Sequence, residues 1–253
     1  MPNKNEIERA TPTRTEGPAA QPERSLAGGS ARSPGGATSS HDATSARRGA
    51  LFIVLEGIDG SGTTTQLDRV VAHLVSLGRR ARATREPSGG PIGRLLREIL
   101  LGQHRSADGT AVDGLAMALL FAADRRDHLR REIEPGLQTG VDVVTDRYLL
   151  SSLAYQAEEA QRDWVAGLAR DVRRPDLTLL LDVPVSVAAA RRHAAGRSTE
   201  RYDEDGFQTR VADNYRRLAA EDPTVVVLDG TRPINDVTDA IARHVTALIA
   251  SAP

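Results

Sequence analysis

Residues 51–66 read LFIVLEGIDGSGTTTQ: an apolar run, a glycine-rich turn, then the start of a helical pattern. Gly57 and Gly62 have the spacing of a phosphate-binding loop, in which G-x-x-x-x-G is followed by lysine and Ser or Thr. Such a turn aims successive backbone N–H groups at a polyphosphate and adds the positive end of a helix. Gly57, Ile58, Asp59, Gly60, Ser61, Gly62, Thr63 and Thr64 are therefore the candidate cradle, with the Thr64 hydroxyl placed for Mg²⁺. A purely structural glycine turn is the plainer alternative. One part of the motif is absent, because the lysine position holds Thr63.

The flanking pattern argues for the cradle. Leu51–Glu56 is apolar enough for a buried parallel strand. Leu67, Val70, Val71, Leu74 and Leu77 then recur at helical spacing. Further strands are expected at Ala81–Glu86, Val141–Asp146, Leu177–Val183 and Thr224–Asp229. Between and after them a short helix is expected at Ile92–Leu101, a long helix or a pair at Val112–Thr139, and a closing helix at Ile234–Ile249. This alternation predicts an α/β fold, a parallel five-stranded sheet flanked by helices. Functional residues then belong at the carboxyl ends of the strands, where Glu56, Glu86, Asp146, Asp182 and Asp229 stand.

Composition narrows the class. The 253 residues carry a net charge of −1, so no overall field favours nucleic acid or a membrane surface. There is no cysteine, hence no disulfide framework, thiolate metal site or cysteine nucleophile. No apolar run approaches the roughly 18 residues of a membrane span, and the N-terminus shows no apolar core of a signal peptide. A cytoplasmic protein is the expectation. Residues 1–49 are rich in Ala, Gly, Ser, Thr, Pro and Arg and poor in Leu, Ile and Val. That composition predicts a disordered extension. A transit peptide is the alternative, and Glu6, Glu8, Glu16 and Glu23 count against it.

Four further segments, in order with the loop, resemble one family. TREPSGGPIG at 84–93, LLFAADRRDHL at 119–129, DRYLLSSLAYQ at 146–156 and RRPDLTLLLDVP at 173–184 are similar to signature stretches of the thymidylate kinases. The resemblance covers about residues 51 to 250. It implies a P-loop nucleoside monophosphate kinase fold and transfer of the γ-phosphoryl of ATP to dTMP, with Mg²⁺. It also implies a homodimer, the common state of family members.

The resemblance assigns roles to particular residues. Arg147 is a candidate clamp on the acceptor phosphate, where a guanidinium can grip two oxygens at once. Asp146 is implied as a metal or water organiser, and Asp59 as a partner of the acceptor sugar or the metal. Arg97 matches a family arginine near the acceptor phosphate, and Arg85 belongs to the same patch. Phe121 and Arg125 lie four apart on one helix face, as a stacking ring and a donor to a pyrimidine carbonyl. By the resemblance, Ser152 sits near the base edge, and Tyr155 lies against the sugar, where it disfavours a 2′-hydroxyl.

The absent lysine needs a substitute or has a cost, since loss of such a contact lowers rates by roughly 10²–10³. Lys4 is the only lysine in the chain, yet lysine avoidance alone would leave arginine at 63 rather than threonine. The polar segment 191–207 resembles the family's lid over ATP. Some family members carry a catalytic arginine within the loop; here that position is Gly60, so lid arginines are expected, Arg201 first and Arg197 second. Two rival readings stand beside dTMP kinase: a kinase for another nucleoside monophosphate, and a nucleotide-binding protein with little or no turnover.

Overall fold

A computed structural model of the chain describes residues 49–196 and 200–251. The extension expected over residues 1–49 lies outside the described residues except for Gly49, and so does Arg197. The strands are β1 (Phe52–Glu56), β2 (Ala81–Arg85), β3 (Asp142–Asp146), β4 (Leu177–Asp182) and β5 (Val225–Asp229). They form one sheet in the order β2-β3-β1-β4-β5, and every pairing is parallel. The expected five-stranded parallel sheet is therefore the one observed, within a residue or two at each strand.

β1 is buried along its whole length, and its side chains alternate between two layers. Ile53 and Leu55 pack with Leu67, Val70 and Leu74 of helix α1 (Thr63–Ser76) and with Val237, Ile241 and Val245 of helix α9 (Ile234–Ser251). Phe52 and Val54 face the other way, toward Leu129, Ile133 and Leu137. The connections that carry site residues are α2 (Pro91–Leu100), α3 (Gly114–His128), α5 (Leu149–Tyr155), α7 (Val185–Ala194) and α8 (Asp205–Glu221). The remaining helices, α4 (Glu134–Gln138) and α6 (Arg162–Gly167), are short.

Local sequence explains the boundaries. Pro91 opens α2, where its missing N–H costs nothing. Asp113 caps α3 by accepting from the N–H groups of Leu115 and Ala116. The helical stretch expected over 112–139 is one run with a π-turn at Leu129–Ile133 that leads into α4 and its Pro135. A proline inside a helix has no N–H to give to the preceding turn, and a π-turn is a known way to absorb such a break. Helix α8 is an element beyond those expected from sequence, although Phe207, Val211, Tyr215 and Leu218 have its apolar spacing and are buried. Among the described residues no helix is long and apolar enough to cross a membrane.

The turn after β1 is possible because of its glycines. Gly57, Gly60 and Gly62 have φ of 155°, 91° and 103°, a region that L side chains rarely adopt. Gly60 has a second constraint, since a Cβ there would lie 2.4 Å from the carbonyl oxygen of Ala188 on α7. No arginine fits at that position in this fold. Gly60→Ala is expected to cost roughly 2 kcal/mol or more from the φ penalty and the collision together. Urea unfolding of the two proteins measures it; a difference under about 0.5 kcal/mol, the size of an ordinary surface change, would contradict the close approach.

Candidate active site at the carboxyl end of the sheet

The first two residues of α1 complete the phosphate loop. Thr63 is only 6% exposed, and Thr64 donates from its hydroxyl to Oδ2 of Asp146 at 2.6 Å. The register that pairs Leu55 with Asp146 sets the ends of β1 and β3 side by side, which makes this contact possible. Oδ1 of Asp146 is buried with no partner among the described residues. A carboxylate oxygen left without a partner, beside a threonine hydroxyl, suits a divalent cation. No group of three or more His, Cys, Asp or Glu among the described residues could hold a metal alone. Such an ion would take further ligands from phosphate and water.

Arg147, one residue beyond β3, has φ of 73°, the left-handed region, and its N–H donates to the Leu55 carbonyl at 2.8 Å. This conformation aims the guanidinium at the phosphate loop. Nη2 meets Oδ1 of Asp59 at 2.8 Å and the Tyr155 hydroxyl at 3.4 Å, and the guanidinium lies 5.1 Å from the Tyr155 ring centre. The Tyr155 hydroxyl in turn donates to Oδ2 of Asp59 at 3.2 Å. Burial pushes the Tyr155 phenol above its usual pKa, so it stays a neutral donor.

Two cavities meet at this cluster. One, of about 540 Å³, is lined by residues 59–66, Arg191, Arg192, Ala195 and the turn 230–234. The other, of about 420 Å³, is lined by Arg85, Glu86, Arg97, Phe121, Tyr148, Ser152, Tyr155 and Tyr202, among others. Asp59, Thr64, Asp146 and Arg147 line both.

Most of the residues singled out in the second cavity meet there. Phe121 is half-buried in its wall beside Ser152. Arg125 is 1% exposed and donates from Nη1 to the Ser152 hydroxyl at 2.5 Å, so it stands behind Ser152 rather than in the wall. Arg97 donates to the carbonyls of Ser88, at 2.8 Å, and Pro87. It therefore ties down the turn after β2 from the cavity's edge. Arg85 is exposed at the end of β2 and lines the same space. Below them Glu86 contacts Nδ1 of His128 at 3.2 Å, and Nε2 of His128 lies 3.4 Å from Glu132. Burial works against a charged imidazole here, but the two carboxylates prevail and raise the His128 pKa.

Of the two arginines expected to replace the loop lysine, Arg197 lies outside the described residues and Arg201 stands away from the phosphate loop. Arg201 pairs with Glu159 at 2.7 Å, donates to the Val112 carbonyl, and lines a separate space with Leu100, Leu101 and His104. Arg191 and Arg192 of α7 line the loop cavity instead. Arg191 donates to the carbonyls of Ser61, at 3.3 Å, and Gly230, at 2.9 Å, and has no carboxylate partner among the described residues. Arg192 donates to the Asp59 carbonyl at 2.6 Å and pairs with Asp203 at 3.4 Å and Asp205 at 3.6 Å. Two residues of α8 also reach the centre, Gln208 to Asp59 and Tyr215 to Arg147. Their signal was available as an aromatic and an amide seven apart in an apolar helical pattern.

Comparison with known proteins agrees with this arrangement. The family model for thymidylate kinase matches residues 55–241. A probable thymidylate kinase of Pyrobaculum aerophilum is 42% identical over 198 residues, covering 77% of this chain and 97% of that protein. One from Thermococcus onnurineus is 37% identical over 194 residues, 76% of this chain and 95% of its own. A thymidylate kinase of Bifidobacterium longum subsp. infantis is 40% identical over 207 residues, 79% and 87% of the two chains. With a nucleotide-phosphate loop, a second cavity sharing its central charges, and these likenesses along most of its length, the chain belongs to the thymidylate kinase family.

Proposed function

We propose that this protein transfers the γ-phosphoryl group of ATP to dTMP, giving ADP and dTDP. The observation that carries the reading is the meeting of two cavities at Asp59, Thr64, Asp146 and Arg147. Phosphoryl transfer needs donor and acceptor phosphates brought together with their charge neutralised, and little else from a protein. ATP belongs in the cavity of the glycine loop, whose N–H groups and helix end favour polyphosphate. A phosphate oxygen of dTMP then attacks the γ-phosphorus as the bond to the ADP oxygen breaks.

Thr64 and Asp146 are the residues that would hold Mg²⁺, which supplies charge neutralisation when bound. Arg147 and, from the cavity edge, Arg97 and Arg85 serve the acceptor phosphate. Phe121 offers a ring to the thymine, and Arg125 holds the Ser152 hydroxyl toward the base edge. Tyr155 and Asp59, bonded to each other, form the wall for the sugar. A homodimer accords with the exposed leucines on α2 and α3, Leu95, Leu115 and Leu119.

Thr63 is the observation that favours the second reading, a nucleotide-binding protein of slow turnover. Its lysine's charge has a substitute in reach. Arg191 lines the same cavity and is held by carbonyls rather than by an acid, so its charge is available to a phosphate. A guanidinium held this way still has donors to spare. Arg191→Gln is therefore expected to lower kcat by on the order of 10², and Arg201→Ala to leave it within about threefold. Thr63→Lys added to Arg191→Gln is expected to recover part of the loss. Coupled assay of ADP release at saturating dTMP reads all three variants; the reverse order of Arg191 and Arg201 would return the role to the arginine of segment 191–207 expected from sequence.

Substrate choice tests the acceptor cavity. The protein is expected to prefer dTMP to UMP by roughly 10² or more in kcat/KM, because a 2′-hydroxyl would have to displace Tyr155 from Asp59. Tyr155→Ala is expected to narrow that ratio. Equal use of dTMP and UMP by the unaltered protein would reject this account of the pocket.

A further inference from the structure

Helix α8 follows the polar segment after α7, and one of its faces touches both members of the central ion pair. Gln208 donates to Oδ2 of Asp59 at 3.4 Å, and the Tyr215 hydroxyl lies 3.3 Å from Nη1 of Arg147. Seven residues apart, they share one side of the helix. The Ser151 hydroxyl of α5 reaches the same Nη1 at 3.2 Å.

Behind these hydroxyls stands Glu56, the last residue of β1, with no exposed surface. Its Oε1 accepts the N–H groups of Tyr148 and Ser151 at 3.0 and 3.2 Å. Its Oε2 accepts the Ser151 hydroxyl at 2.6 Å and the Tyr215 hydroxyl at 3.0 Å. Each hydroxyl has one proton, and a carboxylate can only accept. The two hydroxyl oxygens also lie 2.7 Å apart, so one can donate to the other while its neighbour donates to Glu56; in either arrangement the Arg147 guanidinium, which has only donors, meets them at their lone pairs. Glu56 thus anchors the hydroxyl pair, and the pair holds one edge of the guanidinium while Asp59 holds the other.

We propose that Tyr215 is a positioning residue for Arg147, with Glu56 as the buried carboxylate that directs its hydroxyl. A phenylalanine would fill the same volume beside Tyr155, whose ring centre is 6.2 Å away. What tyrosine adds is a hydroxyl spent on an active-site cation. The inference deepens the assignment of Arg147 to the acceptor phosphate and rests on it. Its consequence is that helix α8 also sets the orientation of the acceptor clamp.

Calorimetric binding of dTMP and of thymidine, which lacks the phosphate, separates positioning from plain packing. In the full-length Tyr215→Phe protein, dTMP is expected to bind about 5- to 10-fold more weakly, as for one ordinary lost hydrogen bond, with thymidine within about twofold of the parent. Arg147→Gln is expected to lower the dTMP-to-thymidine ratio further, and the double variant to fall little below Arg147→Gln alone. Equal weakening of both ligands in Tyr215→Phe would reduce Tyr215 to a packing role and overturn the inference. An unchanged ratio in Tyr215→Phe, with a lowered one in Arg147→Gln, would also overturn it and leave the role of Arg147 intact. An unchanged ratio in Arg147→Gln would remove that role and the inference with it. If Tyr215→Phe does not fold, Ser151→Ala, which deletes the other hydroxyl on Nη1, is read by the same ratio.

Discussion

The ion pair between Asp59 and Arg147, 2.8 Å long, is the contact on which the rest of the site depends. It joins the loop after β1 to the loop after β3, and so joins the two cavities. Parallel pairing of those strands in a fixed register brings the loops together. The glycines of the first loop and the left-handed backbone of Arg147 in the second let the side chains meet. A left-handed arginine costs roughly 1–2 kcal/mol. Its N–H bond to Leu55 and four side-chain contacts offset that cost, and the result is a cation held ready before any substrate arrives.

The distribution of charge around that pair follows from the chain's near-total reliance on arginine. Guanidinium groups have five donors in a plane and can bind carbonyls while keeping their charge for a phosphate. Arg97 and Arg191 do this, holding turns through backbone carbonyls at the borders of the two cavities, whereas Arg192 also pairs with Asp203 and Asp205. An ammonium at residue 63 would concentrate the same charge inside the loop. Threonine at that position is almost fully buried at the helix start and brings no charge. The positive charge that lines the loop cavity from a helix comes instead from Arg191 and Arg192 of α7.

The parts legible in the sequence were those governed by local pattern. The loop, the five strands, α2 and α9 are fixed by glycine spacing, apolar runs and helical periodicity, and each formed within a few residues of its expected place. Phe121, Ser152 and Tyr155 share the cavity expected of them because they sit on helices whose phase the sequence shows. What was not legible depends on distance in space. Nothing local says that Arg201 would turn to Glu159, or that Arg191 would reach across to Ser61 and Gly230. The sequence places Arg125 on the face of Phe121 but cannot show that its buried guanidinium takes the Ser152 hydroxyl as acceptor. The role of α8 was hidden for a similar reason. Its apolar face reads as ordinary core until Tyr215 is seen beside Glu56, 159 residues earlier.

The central claim is that the two cavities serve one transfer across Arg147 and Asp59. Its most direct test is to incubate the full-length protein with ATP, Mg²⁺ and dTMP and to quantify every phosphorylated species by ³¹P NMR. The expected result is formation of dTDP and ADP in equal amounts, with no inorganic phosphate. Bound ATP that persists unchanged, or ATP lost to phosphate without dTDP, would contradict it.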